Sequence, residues 1–218
     1  MITGAAGHLG RAVAKAFENL GARLVLLDMN AEPGGPHVFL RVDLRDAASV
    51  QRAADQALER FGRIDVLCNI AGAFRMGPPV HETRHADWDF LFDVNAKSVL
   101  HTARAVVPAM LKSGGGKIIN VAAYAAQKGA AGMAAYAASK SAVIRITEAM
   151  AAELREKNIN VNCVLPTILD TPDNRAAMPK ADPRRWVSPH DLAAVIVFLA
   201  SDAARAVHGA AVPVTGLS

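Results

Sequence analysis

Tyr136 and Lys140 stand four residues apart in the stretch YAASK, so on a helix the phenol and the ammonium share one face. An ammonium beside a phenol favours the phenolate, and a phenol tuned in this way can give or take a proton near neutral pH. A Tyr and Lys pair at this spacing is also an ordinary solvated helix face, and the pair alone does not separate the two readings.

A second cluster opens the chain. The turn TGAAGHLG (3–10) carries Gly4, Gly7 and Gly10. The first permits a tight turn, the second a close backbone approach, and the third lets the next helix pack on its strand. That helix would aim its free N–H groups and positive dipole end at a pyrophosphate. Asp28 follows Gly10 by 18 positions, near the roughly 20-residue spacing of an acid that hydrogen-bonds an adenosine ribose. Its charge would repel a 2′-phosphate, which favours NAD over NADP; a turn or capping aspartate is the alternative. Asp43 ends VFLRVD, as a partner for the adenine amino group or as an N-cap for the helix beyond it.

Short β-branched runs alternate with longer amphipathic stretches. Strands are expected at 22–28, 38–43, 64–71, 116–123, 159–166 and 210–215, and helices at 8–20, 46–61, 84–112, 133–156 and 189–201. This rhythm predicts an α/β fold, a Rossmann-type doubly wound parallel sheet forming a single domain over 1–218. The stretch 166–189 holds five prolines just past a strand, where open parallel sheets bind ligands, so it is expected to be an irregular substrate lid. Only Met1 and Ile2 precede the glycine turn. The first strand is therefore expected to be shortened, with the lower end of the sheet exposed or locally disordered, the pattern left when an internal methionine is taken as the start.

The 24 Lys and Arg are scattered among 20 acids, which argues against nucleic-acid binding. No apolar run nears the roughly 20 residues that span a bilayer. Cys68 and Cys163 sit in apolar stretches without metal-ligand spacing, as small buried thiols of a cytoplasmic protein would.

Taken in order, TGAAGHLG, NIAG (69–72), Asn95 in DVNAKS, YAASK and PTILDT (166–171) resemble the short-chain dehydrogenase/reductase family across essentially the whole chain. The resemblance implies that Tyr136 donates or accepts the proton, that Lys140 lowers its pKa and binds the nicotinamide ribose, and that Asn95 holds a relay water. It implies a cofactor, NAD rather than NADP, lined by Gly4, Gly7, His8, Leu9, Gly10, Asp28, Asp43 and Leu44. Asn69, Ala71, Gly72, Pro166 and Thr171 complete that lining. It also implies a small-molecule substrate and a homodimer or homotetramer formed through the long helices.

One expected residue is absent. The serine that usually precedes the tyrosine by 13 positions is Ala123 here, beside Ala122, and losing such a donor to the reacting oxygen can cost roughly 10²–10³ in rate. The run VLPTILDTPDNRAAMPKADPRRW, with GAAGMAAYAASK before it, resembles quinonoid dihydropteridine reductase. That enzyme also carries an alanine at this position and passes hydride to an electron-poor ring needing little oxyanion stabilisation. The alternative is a non-catalytic dinucleotide-binding scaffold or redox sensor. Tyr124 and Gln127 could supply a polar group or lie on the surface. Arg184 and Arg185 could attract an anion or be solvated, and Trp186 could stack on a flat substrate or anchor the lid. Ser139 and Ser141 face away from the vacant serine position.

Overall fold

INVNCVLP, at 159–166, is buried at every position, and a strand with no solvent face requires cover on both sides. In the computed structural model, which describes residues 1–30 and 37–218, that strand lies in a seven-stranded sheet ordered β3-β2-β1-β4-β5-β6-β7. The strands are β1 (Ile2–Thr3), β2 (Val25–Asp28), β3 (Val38–Arg41), β4 (Val66–Asn69), β5 (Gly116–Val121), β6 (Ile159–Pro166) and β7 (Ala211–Val214). All pair in parallel. The helices are α1 (His8–Glu18), α2 (Ala47–Phe61), α3 (His85–Phe92), α4 (Ser98–Lys112), α5 (Ala134–Leu154), α6 (Pro172–Ala177) and α7 (Pro189–Ala200).

Alternation along the strands divides the core. Leu26, Cys68, Ile119 and Val164 face α1 and α7, while Val25, Leu27, Leu67, Ile118 and Val161 face α2, α4 and α5. Successive strand side chains point to opposite faces, so one sheet builds two apolar layers. The expected doubly wound α/β sheet is what forms. No helix among the described residues is long and apolar enough to cross a membrane.

β1 is short and central. Ile2 pairs with Leu26 on one side and Cys68 on the other, and Thr3 with Leu27 and Asn69. Met1 is held, not loose: its carbonyl accepts from the Cys68 N–H at 2.9 Å and its ammonium donates to the Val66 carbonyl at 2.8 Å. The lower end of the sheet is ordered around Met1 and borders a cavity of ≈ 160 Å³ lined by Phe17, Leu24, Phe61 and Ile64.

Two expectations need correction. The run 84–112 is not one uniform α-helix, because a π-helical turn at Asp93–Lys97 separates α3 from α4. Hydrophobic periodicity does not register one added residue in a turn, and such bulges recur at functional sites. The stretch 166–189 is not irregular throughout. Thr171 accepts from the Asn174 N–H and Pro172 opens α6, the cap-then-proline signal of a helix start, and Pro183–Arg185 forms a 3₁₀ turn. Leu169 and Val187 bridge the ends of this stretch.

A buried polar chain ties the sheet to two helices. The Thr102 hydroxyl donates to Asn69 Oδ1 at 2.9 Å, Asn69 Nδ2 to Asn120 Oδ1 at 2.8 Å, and Asn120 Nδ2 to Thr147 Oγ1 at 2.9 Å. Each member is nearly free of solvent, so its partners are obligatory. Asn120→Ala leaves the Asn69 amide and the Thr147 hydroxyl short of a partner. It is expected to lower unfolding stability by about 2–4 kcal/mol, read as a lower urea midpoint at unchanged slope.

Candidate functional site

The strand order reverses between β1 and β4, and the cleft lies past their carboxyl ends, where ligands bind in such sheets. The Thr3 hydroxyl oxygen accepts from the Ile70 N–H at 3.0 Å and the Ala71 N–H at 3.2 Å, drawing the loop after β4 onto the glycine turn. Gly4 has φ +64°, and a Cβ there would lie 2.8 Å from Ala71 Cα; at Gly10 it would lie 2.1 Å from the Gly4 carbonyl oxygen. Both positions require glycine. At Gly7 a Cβ would approach only the Gly4 oxygen, at 3.4 Å, so this residue keeps the cleft side open.

Gly7 caps α1 without a side-chain hydrogen bond, and no acid sits in that helix's first turn. By contrast α2, α6 and α7 are capped by Asp46, Thr171 and Ser188. An open turn before uncapped helix amides fits a pyrophosphate, so these residues suit a dinucleotide. Asp28 serves the turn and faces the cleft at once: Oδ1 accepts from Asn30 N–H at 2.9 Å and Oδ2 from Ala6 N–H at 3.0 Å.

Other expected cofactor residues are placed differently. Asp43 is not the helix cap; both its oxygens bind the Arg45 guanidinium, which holds the carboxyl below the usual carboxylate range. Leu9 buries its side chain in the core, and the Leu44 carbonyl lies 2.8 Å from His101 Nδ1. Asn69 turns its side chain into the buried polar chain, so only its main chain can line the cleft. Pro166 ends β6, paired with Val214. His8, the first residue of α1, brings Nε2 within 3.5 Å of Asp173 Oδ2, linking the glycine turn to the 166–189 stretch.

Tyr136 and Lys140 share a face of α5, and burial shifts the titration of both. The Lys140 ammonium, 4% exposed, donates to the Val121 carbonyl at 2.8 Å, and burial lowers its pKa to about 8. Burial alone raises the Tyr136 phenol to about 12. The lysine is directed at β5, and the phenol lies against Phe74, ring centroids 4.9 Å apart at 85°.

Asn95 sits in the π turn and is fully committed. Its Oδ1 accepts from Ala73 N–H at 2.8 Å, and its Nδ2 donates to the Ala73 carbonyl and to Ser139 Oγ, both at 3.0 Å. A Cβ on Gly72 would lie 2.9 Å from Lys140 Nζ and 3.1 Å from Asn95 Oδ1, so Gly72 must be glycine for the two to meet there. Ser139 donates to the Tyr136 carbonyl and Ser141 to the Ala126 carbonyl; neither replaces the missing serine. Ala123 is buried and Tyr124 exposed. Trp186 anchors the stretch by burial, Arg184 pairs with Asp182, and Arg185 donates to the Leu217 carbonyl. Burial raises Cys68 to about 12 and Cys163 to about 11, leaving both thiols unreactive.

Phe74, the Val121 carbonyl and the Thr3 hydroxyl were not singled out by sequence. Thr3 could have been, since a hydroxyl beside Gly4 lies at a strand end. Phe74 belongs to no spacing pattern.

The chain matches, over residues 4–216, a family described as Enoyl-(Acyl carrier protein) reductase. It is 36% identical to a D-threitol dehydrogenase of Mycolicibacterium smegmatis, over 99% of this chain and 90% of that one. It is 34% identical to a short-chain type dehydrogenase/reductase of Sinorhizobium fredii, over 99% and 95%. The crystal structure of a carveol dehydrogenase from Mycobacterium avium in complex with NAD superposes with a TM-score of 0.88 at 29% identity, covering 99% of this chain and 95% of that one.

The burial of Lys140 has a consequence for stability. Its folded pKa of about 8 lies below the unfolded value of about 10.4, so between these pH values the unfolded chain binds the extra proton and stability rises with pH. Tyr136, held at about 12 against about 10 unfolded, keeps its proton in the fold, and stability falls from about pH 10 upward. The protein is therefore expected to gain roughly 2–3 kcal/mol between pH 8 and 10 relative to Lys140→Met, measured by urea unfolding at both pH values without added cofactor. Parallel curves for the two proteins would refute the assignment.

Proposed function

We propose, for a chain that belongs to the short-chain dehydrogenase/reductase family and is thereby an NAD(P)-dependent oxidoreductase, that it works with NAD in preference to NADP. Its substrate in this reading is a small carbonyl, alcohol or quinonoid pterin-like compound. The observation that carries the reading is the approach of Lys140 and Asn95 to Gly72 in the cleft that the glycine turn opens, with Tyr136 one turn before Lys140 on α5.

When bound, the nicotinamide supplies or accepts the hydride. Gly4, Gly7 and the first amides of α1 would hold the pyrophosphate, and Asp28, placed against Ala6, would take the ribose hydroxyls and disfavour a 2′-phosphate. Tyr136 holds the exchangeable proton. Among the described residues its hydroxyl has no hydrogen-bond partner in the protein, so the proton is free to pass to substrate oxygen. Lys140, held at the Val121 carbonyl one helical turn along α5, would favour the phenolate whenever it carries its proton. Asn95 holds Ala73, next to Phe74, and Ser139, which binds the Tyr136 carbonyl.

Ala123 supplies no second donor. This favours an acceptor whose reduction builds little charge on oxygen, as in a quinonoid ring, over a simple ketone. A homodimer or homotetramer through α4 and α5 belongs to the same reading; Leu100 and Leu111 are exposed on α4.

The test combines cofactor titration with turnover. NADH should bind wild type and Tyr136→Phe alike by fluorescence, while kcat for any accepted substrate falls by about 10²–10⁴ in the variant. Binding without turnover across a panel of carbonyls and quinonoid dihydropterin would replace this reading with a non-catalytic scaffold. Ala123→Ser should speed simple ketones by roughly 10- to 100-fold and change quinonoid dihydropterin little; equal effects on both would sink the substrate preference.

A further inference from the structure

The loop after β4 is held at three places. Asn95 clamps both the N–H and the carbonyl of Ala73. Arg75 donates to Asp87 Oδ1 at 2.9 Å and lies 3.9 Å above the Phe90 ring. The Gly77 N–H donates to the Gly132 carbonyl at 2.7 Å, just before α5. Between these tethers Phe74 stands edge-on to the Tyr136 ring and is still 57% exposed. A single exposed aromatic is unremarkable on a protein surface. One that is fixed against the proton-bearing phenol, with its remaining surface uncovered, forms a wall where the substrate must arrive.

The polar groups around that wall are occupied. Asn95 is spent on Ala73 and Ser139, Ser139 on the Tyr136 carbonyl, and Ala122 and Ala123 contribute no donor or acceptor side chain. An open-chain polyol brought here would lose its water and regain few hydrogen bonds beyond one to Tyr136. A flat ring would bury apolar area against Phe74 and pair with its π system.

We propose that Phe74 is a specificity-determining residue and that the substrate carries its reacting group on, or directly beside, a flat ring that packs against Phe74. This rests on the oxidoreductase function stated above and narrows its substrate class. It separates this chain from its polyol-named relative: the wall selects rings, and Tyr136 provides a free hydroxyl for the reacting atom.

The experiment compares wild type, Phe74→Ala and Phe74→Leu, each with NADH bound, for binding of acetophenone and of D-threitol by saturation-transfer NMR. Melting temperatures check that the variants fold, and an NADH titration checks the cofactor site. Wild type should bind acetophenone in preference to D-threitol. Phe74→Ala should raise the acetophenone Kd about five- to tenfold, Phe74→Leu should raise it less, and both should leave the NADH Kd unchanged. An acetophenone Kd within about twofold of wild type in Phe74→Ala, no acetophenone binding by wild type, or a wild-type preference for D-threitol would each overturn the proposal. Failure of wild type to bind NADH would instead strike the oxidoreductase function, and acetophenone titrated into the protein alone would still report on Phe74.

Discussion

The cleft exists because two stretches of backbone touch with no side chain between them. Gly4, at φ +64°, lies so near Ala71 that a Cβ would come within 2.8 Å of its Cα, and the Thr3 hydroxyl oxygen fastens the contact by accepting from Ile70 and Ala71. β1 has just two paired residues with which to hold its place, so this hydroxyl and the absent side chain carry much of the alignment. The rest follows outward. Ala71 sets Gly72, Gly72 admits Lys140 and Asn95 side by side, and Asn95 fixes Ala73 and with it Phe74. A shift at Gly4 would pass along every one of these contacts, because each is a close approach without slack.

Burial, more than charge, sets the titration of the central pair. An exposed Tyr and Lys one helical turn apart would lower the phenol's pKa through the ammonium. Here the ammonium is withdrawn to the Val121 carbonyl and disfavoured by desolvation, and the phenol is disfavoured as an anion for the same reason. Burial thus drives both groups toward neutrality. Charge placed beside such a buried pair acts through a low dielectric and moves both groups further than it would in water.

The sheet was legible because its strands are apolar on both faces and separated by helices whose buried residues recur at helical spacing; β6 spans 159–166 as expected. The site was legible where chemistry is written in side-chain type and local spacing, as for Gly4, Gly10, Asp28, Tyr136 and Lys140. It was illegible where the partner is a main-chain atom from a distant strand, as with Lys140 and Val121, or where placement depends on several tethers, as with Phe74. Asn69 illustrates the limit. Its motif places it at the cleft, while the amide is drawn inward by Thr102 and Asn120, partners 33 and 51 residues away that no local pattern contains. The π turn escaped for a different reason, since a one-residue insertion leaves the hydrophobic stripe nearly intact.

Most polar side chains at the cleft are spent on one another or on backbone. Asn95 holds a loop and a serine, Ser139 holds Asn95 and the Tyr136 carbonyl, and Asp28 holds Ala6 and Asn30. Such commitment removes the freedom of each group to seek other partners, so the geometry is set before a ligand arrives. It also leaves little with which to recognise a polar substrate. With Ala123 in place of a hydroxyl, adding a donor there and keeping the present apolar wall are competing solutions: a serine would improve catalysis on a charge-building oxygen, yet it would also place an unpaired polar group in a buried position whenever the arriving substrate is apolar. The alanine is the lower-energy choice for a site where the arriving group meets an apolar wall and the Tyr136 hydroxyl.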